Sequence, residues 1–181
     1  MVEDFKRRKF MQITFQEIKE EDFGAFRQDV KDIFSIAVIR EFGNPERGEV
    51  IPDEDIDEAL FHPQAEVYYI LADGEKIGGV TLRNDKESHR NSVDLFYIYP
   101  DCHGRGLGTQ VWQAIEQLYP NTAVWELVTP YFEKRNIHFY LNKCGFRIVE
   151  FFCKYHKDSS RHSGGLDYQD EYFRFEKQMN I

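Results

Sequence analysis

YIYPDCHGRGLGTQVW, residues 97–112, places three glycines, Gly104, Gly106 and Gly108, between a strand-like run and a helix-like run. A helix N-terminus carries unpaired N–H groups and partial positive charge, and glycines let backbone approach a ligand closely. The stretch therefore reads as a phosphate loop or, more plainly, as a glycine-rich turn joining two elements. Two common phosphate loops fail on spacing. No lysine follows Gly108, as a GxxxxGK[ST] loop requires, and Thr109 stands where a GxGxxG fingerprint needs its third glycine.

The flanking sequence sets the fold class. Upstream, SVDLFYIYP is a strand rich in aromatic and branched residues. Downstream, Val111, Trp112, Ile115, Leu118 and Tyr119 mark one helical face, and TAVWELVTP is the next strand. Ile137, Tyr140, Leu141 and Cys144 mark a further helix closed by Gly145, followed by the strands FRIVEFFCKY and DEYFRFEKQM. Toward the N-terminus, EVYYILADGEKIGGVTLR reads as a hairpin turning at Asp73-Gly74. Before it, FMQITFQEI alternates as a half-buried strand. Phe23, Phe26, Val30, Ile33, Phe34, Ala37 and Val38 fall at helical steps, in a helix ended by Gly43, Asn44 and Pro45. A short helix is predicted from Asp53 to Phe61. The order is β-α-α-β-β-β-α-β-α-β-β. It predicts an α+β fold: a single mixed, mostly antiparallel sheet flanked by helices, with one parallel step at the central β-α-β unit.

The 181 residues are 41% hydrophobic and 15% aromatic, enough for one sizeable core, so residues 1–181 are expected to form a single domain. A net charge of −9 argues against holding nucleic acid through phosphates and suits cationic partners, amines included. Cys102, Cys144 and Cys153 are odd in number and lack CxxC spacing, which argues against a disulfide framework or a zinc site. A reducing cytoplasm is the expected location, with no metal. The basic run from Lys6 to Lys9 has no apolar segment behind it, so no signal peptide is expected. No uncharged apolar run reaches ~18 residues, so no membrane span is expected either.

VDLFYIYPDCHGRGLGTQVW resembles the acyl-coenzyme A site of the GNAT N-acetyltransferase superfamily, in which a loop of the form Q/R-x-x-G-x-G/A opens a helix. NIHFYLNKCGF resembles that family's second signature, with Asn136, Tyr140, Gly145 and Phe146 in matching order and spacing. The element order also matches from about Met11 to Met179. One position departs: His103 stands where the family has Gln or Arg. It is either a side-chain contact to the pyrophosphate or a solvated loop residue.

The resemblance implies transfer of the acetyl group of acetyl-coenzyme A to an amine by direct attack. Phe96, Ile98 and Tyr99 would hold the pantetheine arm like an added strand, with Pro100 where pairing ends. His103, Gly104, Arg105, Gly106, Leu107, Gly108 and Thr109 would cradle the pyrophosphate, and Asn136 would contact the arm. Tyr140 is the candidate acid for the leaving thiolate; a core tyrosine is the alternative. Asp94, expected on the strand face of Phe96 and Ile98, and Glu126 are the candidate bases; otherwise they are strand-end carboxylates or substrate anchors. Glu46, Glu49, Asp53, Glu54 and Asp55 either suit a cationic acceptor or form a solvated face. Tyr68, Tyr97 and Trp125 are cleft walls or core. Another acyl-coenzyme A donor, or a non-catalytic coenzyme-binding module, fits the same motifs. A homodimer is a common arrangement in the resembled family.

Overall fold

The computed structural model describes residues 11–43, 51–159 and 171–180. The Lys6–Lys9 run, Glu46, Glu49 and the helix-ending residues Asn44 and Pro45 lie outside them. Strand β1 (Ile13–Glu17) leads through a short 3-10 turn into helix α1 (Phe23–Phe42), followed by α2 (Asp53–Leu60). Strands β2 (Ala65–Ala72), β3 (Glu75–Arg83) and β4 (Arg90–Ile98) follow. The chain continues through α3 (Leu107–Leu118), β5 (Val124–Pro130), α4 (Lys134–Phe139), β6 (Arg147–Phe152) and β7 (Tyr172–Gln178). This is the element order the periodicity predicts.

The strands form one seven-stranded sheet in the order β1-β2-β3-β4-β5-β7-β6. Every pairing is antiparallel except β4 with β5, the two strands joined through α3. The β2–β3 turn follows its sequence: Asp73 and Gly74 both have positive φ, at +51° and +86°, which a tight hairpin matching the sheet twist demands.

Two cores lie on the two faces of the sheet. On one, Phe26 and Val30 of α1 and Ile56 and Leu60 of α2 pack against Val67, Leu95 and Tyr97. On the other, Leu107, Val111, Trp112 and Ile115 of α3 pack with Tyr140, Phe146, Trp125, Leu127 and Phe175. Phe26 and Phe175 are fully buried, and each such side chain contributes about 1.5–3 kcal/mol through removal from water.

A bulge interrupts the β3–β4 ladder. Thr81 pairs with Leu95 but Leu82 pairs with Val93, so Asp94 is an extra residue. Alternation therefore reverses there. Val93 joins the α3 face and Leu95 the α1 face, although both would share a face in a regular strand. Among the described residues no helix is long and apolar enough to cross a membrane.

Candidate active site

The parallel ladder between β4 and β5 runs from Arg90↔Val124 to Val93↔Leu127 and stops. Beyond it β4 continues to Ile98 and β5 to Pro130 without pairing to each other. β5 keeps its other neighbour to the end, where Pro130 pairs with Tyr172. The two strands thus open into a V. Tyr99 donates its N–H to the Ile77 carbonyl at 2.9 Å, so its backbone faces β3. By alternation the backbone groups of Ile98 and Phe96 face the gap. A cleft of about 1240 Å³ runs through this opening, reached by both sheet strands, the glycine loop and helices α1, α2 and α4.

The glycine loop closes the mouth of the V. Gly104 and Gly106 have φ of +83° and +71°, conformations that side-chain-bearing residues rarely adopt. Leu107 anchors the start of α3 in the core, being only 2% exposed. Within the helix the first bonded amide is that of Gln110, to the Gly106 carbonyl at 3.1 Å. The N–H groups of Leu107, Gly108 and Thr109 therefore have no intrahelical partner, as a helix start dictates. Gly108 has a different setting. A Cβ there would lie 3.0 Å from Cε2 of Phe139, so this glycine lets α3 approach α4. Arg105, within the loop, is half-buried and donates from Nη2 to the Asp101 carbonyl at 3.4 Å.

His103 is not a solvated loop residue. Its Nε2 lies 2.6 Å from the Ile98 carbonyl, and its Nδ1 lies 2.8 Å from Nη1 of Arg135 in α4. A guanidinium only donates, so Nδ1 accepts and Nε2–H donates to the carbonyl. That fixes one neutral tautomer. Burial holds the imidazole below its ordinary value, with Arg135 acting in the same direction.

Tyr140 lines the cleft and is 7% exposed, its ring set among Phe139, Phe146 and Phe175. It is thus both a core residue and a cleft residue. The last turn of its helix, Tyr140–Cys144, widens to a π-helical turn ended by Gly145 at φ +80°. Among the described residues the Tyr140 hydroxyl has no hydrogen-bond partner, and burial raises the phenol above its ordinary value. Asn136 is exposed on the cleft wall one turn before it.

The two expected bases both line the cleft, and each is held by an arginine. Asp94 accepts from Arg83 Nε and, at 2.8 Å, from Ser92 Oγ. These partners place Asp94 with Ser92 and Arg83, on the α2 side where Arg83 lies 3.9 Å from Glu58. It is not on the face of Phe96 and Ile98, because the bulge reverses the alternation that put it there. Glu126 accepts from Arg90, which also bonds Glu176 at 2.9 Å. A third cleft carboxylate, Glu133 at the start of α4, was not singled out by any motif. It forms no hydrogen bond or salt bridge among the described residues, and burial raises its pKa against the opposing effect of Arg135 and Arg40.

The acidic segment is partly explained by helix pairing. Asp53 bonds Lys31 Nζ at 2.6 Å and Asp57 bonds Arg27, tying α2 to α1. Glu54 is exposed, while Asp55 and Glu58 line the cleft. Trp125 is core, fully buried against Trp112 and Tyr119. Tyr97 is both: it is 3% exposed in the core, bonds Asp29 at 3.2 Å and also lines the cleft. Tyr68 lies outside the cleft, beside Glu66 and Tyr119. Among the described residues no group of three or more His, Cys, Asp or Glu side chains is placed to hold a metal ion.

Comparison with known proteins agrees with this architecture. The model of the Acetyltransferase (GNAT) family matches residues 23–146. The uncharacterized protein YrkN of Bacillus subtilis (strain 168) is 46% identical over 167 residues, covering 89% of this chain and 90% of its own length. Among solved structures, a Bacillus subtilis acetyltransferase in complex with coenzyme A is similar at a TM-score of 0.60 and 18% identity. It covers 94% of this chain and 100% of its own. Spermidine N-acetyltransferase from Vibrio cholerae, in complex with coenzyme A and spermine, is similar at 0.62 and 14% identity, covering 92% and 95%. The ribosomal-protein-S18-alanine N-acetyltransferase from Escherichia coli is similar at 0.63 and 10% identity, covering 94% and 96%.

Proposed function

The chain belongs to the GNAT acetyltransferase family, and we propose that it transfers the acetyl group of acetyl-coenzyme A to an amine by direct attack on the thioester. The observation that carries this reading is the V between β4 and β5, opening after Val93 and Leu127, with the glycine loop at its mouth.

The Gly104–Gly108 backbone and the unbonded first-turn amides of α3 suit the coenzyme pyrophosphate. The gap-facing backbone of Phe96 and Ile98 suits the pantetheine arm, which pairs there as an added strand. Asn136 lines the same passage. The amine nitrogen attacks the thioester carbon; the C–N bond forms, the C–S bond breaks, and the electron pair leaves on sulfur. Tyr140 is the donor to that sulfur. A phenol is protonated at neutral pH already at its ordinary value, and burial raises it further, so a proton is present when the thiolate departs.

The proton lost by the amine goes to a cleft carboxylate. Asp94 and Glu126 are engaged by Arg83 and Arg90, so each would act through a water or serve as an anchor. Glu133 has no such partner among the described residues, and its raised pKa brings it toward the range a general base needs. Asp55 and Glu58 on the α2 wall favour a cationic acceptor. The structural resemblance to an enzyme of spermidine and one of a protein amino group is consistent with an amine, small or peptidic. The three unpaired cysteines suit a reducing cytoplasm.

Thiol release from acetyl-coenzyme A across a panel of amines tests the reading. Amine-dependent release supports it. Tight coenzyme binding with no release for any amine would point to a binding module instead.

A further inference from the structure

His103 joins three elements at the mouth of the V. Its Nε2 binds the last gap-facing carbonyl of β4, at Ile98, and its Nδ1 receives Nη1 of Arg135 from the first turn of α4. Arg135 therefore reaches from α4 to the glycine loop, and both residues line the cleft. Two features make this guanidinium unusual. The chain is strongly acidic, at −9, yet Arg135 forms no salt bridge with any described carboxylate. Its one hydrogen-bond partner among the described residues is a neutral imidazole, which offsets none of its charge.

Elsewhere in the cleft Arg83 is paired with Asp94, and Arg174 with Glu150 at 3.0 Å and Glu176 at 2.9 Å, whereas Arg40 of α1, like Arg135, forms no salt bridge among the described residues but lies away from the glycine loop's histidine. A guanidinium that meets Glu133 through charge alone and forms no salt bridge among the described residues, beside helix-start amides without an intrahelical partner, is a site for an anion. A guanidinium has five N–H donors; Nδ1 of His103 takes one and four remain for phosphate oxygens.

We infer that Arg135 is a phosphate ligand of the coenzyme and that His103 is its positioning residue. The pair takes the place of the single Gln or Arg side chain that the family carries at position 103. The imidazole does not touch the phosphate; it holds the guanidinium over the loop and occupies the Ile98 carbonyl. The pantetheine arm is thereby left the Phe96 backbone and the Ile98 N–H. This inference rests on the coenzyme reading of the cleft.

The test is calorimetric titration of coenzyme A into the full chain at about 50 mM and about 300 mM salt, where screening differs strongly. Charge-assisted hydrogen bonds are worth enough that Arg135→Ala is expected to weaken binding about tenfold to hundredfold at low salt. The loss should shrink severalfold at high salt. His103→Ala should give most of the same loss, the double variant little more, and His103→Gln should restore much of the affinity. Circular dichroism checks that each variant is folded. Wild-type affinity in Arg135→Ala overturns the inference. So does a loss equal at both salt concentrations, which would mark a merely structural strut. Absence of coenzyme binding by the wild-type chain would sink the coenzyme reading itself.

Discussion

Val93 and Leu127 are the last paired residues of the parallel β4–β5 ladder, and the strands part immediately after them. One residue beyond Val93 lies the bulged Asp94, where β4 also slips its register against β3. The bulge and the parting are thus adjacent. An extra residue bends and twists its strand, so β4 swings away from β5 while β5 stays anchored along β7 to Tyr172. The opening is a product of backbone register, and it places gap-facing amides next to a helix start.

Gly106 carries the geometry of the loop. At φ +71° a β-branched side chain meets its own carbonyl, at a cost of about 1–2 kcal/mol. Nothing lies within 4 Å of a Cβ placed there, so the strain is conformational and not a clash. Gly106→Val should relieve the strain by moving the amides that follow. Coenzyme affinity is expected to fall at least about tenfold, with a small drop in melting temperature. Calorimetry and thermal melting measure the two separately; normal coenzyme affinity would remove the loop from the phosphate role.

Tyr140 has its ring in the core and its hydroxyl without a hydrogen-bond partner among the described residues. Removing only the oxygen leaves the packing intact. Tyr140→Phe is therefore expected to keep coenzyme affinity and melting temperature while turnover drops about a hundredfold or more, the usual contribution of a positioned acid. Unchanged turnover would leave Tyr140 as a core residue alone.

Glu66 links β2 to the end of α3, accepting from Tyr119 and, at 2.8 Å each, from Tyr68 and Asn84. Burial alone would raise its carboxyl, but these hydrogen bonds outweigh it and hold the group below the ordinary value of 4.5. A depressed folded value means the stabilisation is present above the unfolded value and is lost as pH falls through the folded one. Denaturant melts of the wild type should therefore weaken below about pH 4.5. Glu66→Gln, which cannot ionise, should be less stable at neutral pH and show a flatter profile over the acid range. Parallel profiles would show that Glu66 contributes nothing to acid sensitivity.

Much of this fold was legible because its elements are strongly periodic. Phe23, Phe26, Val30 and Val38 fall at helical steps and are the residues this helix buries, and Asp73-Gly74 turns a hairpin as its residue types direct. The parallel step followed from a strand, a glycine loop and a helix in succession. The bulge was not legible: Val93, Asp94 and Leu95 alternate apolar and polar as a regular strand would, so nothing local betrays the slip. It misplaced Asp94 onto the face of Phe96. The insertion of β7 between β5 and β6 depends on long-range pairing and leaves no local trace. The role of His103 also lay in contacts made only on folding. Arg135 sits 32 positions away, beside Asn136, where nothing but proximity to the second signature pointed to it.

The gap beside Phe96 and Ile98 is proposed as the berth of the coenzyme arm. Amide hydrogen exchange, read residue by residue with and without coenzyme A, tests that placement. On saturation the Phe96 N–H, which faces the gap, should exchange markedly more slowly. The Tyr99 N–H, already bonded to Ile77, should change little. Saturable coenzyme binding that leaves Phe96 exchange unaltered would contradict the claim.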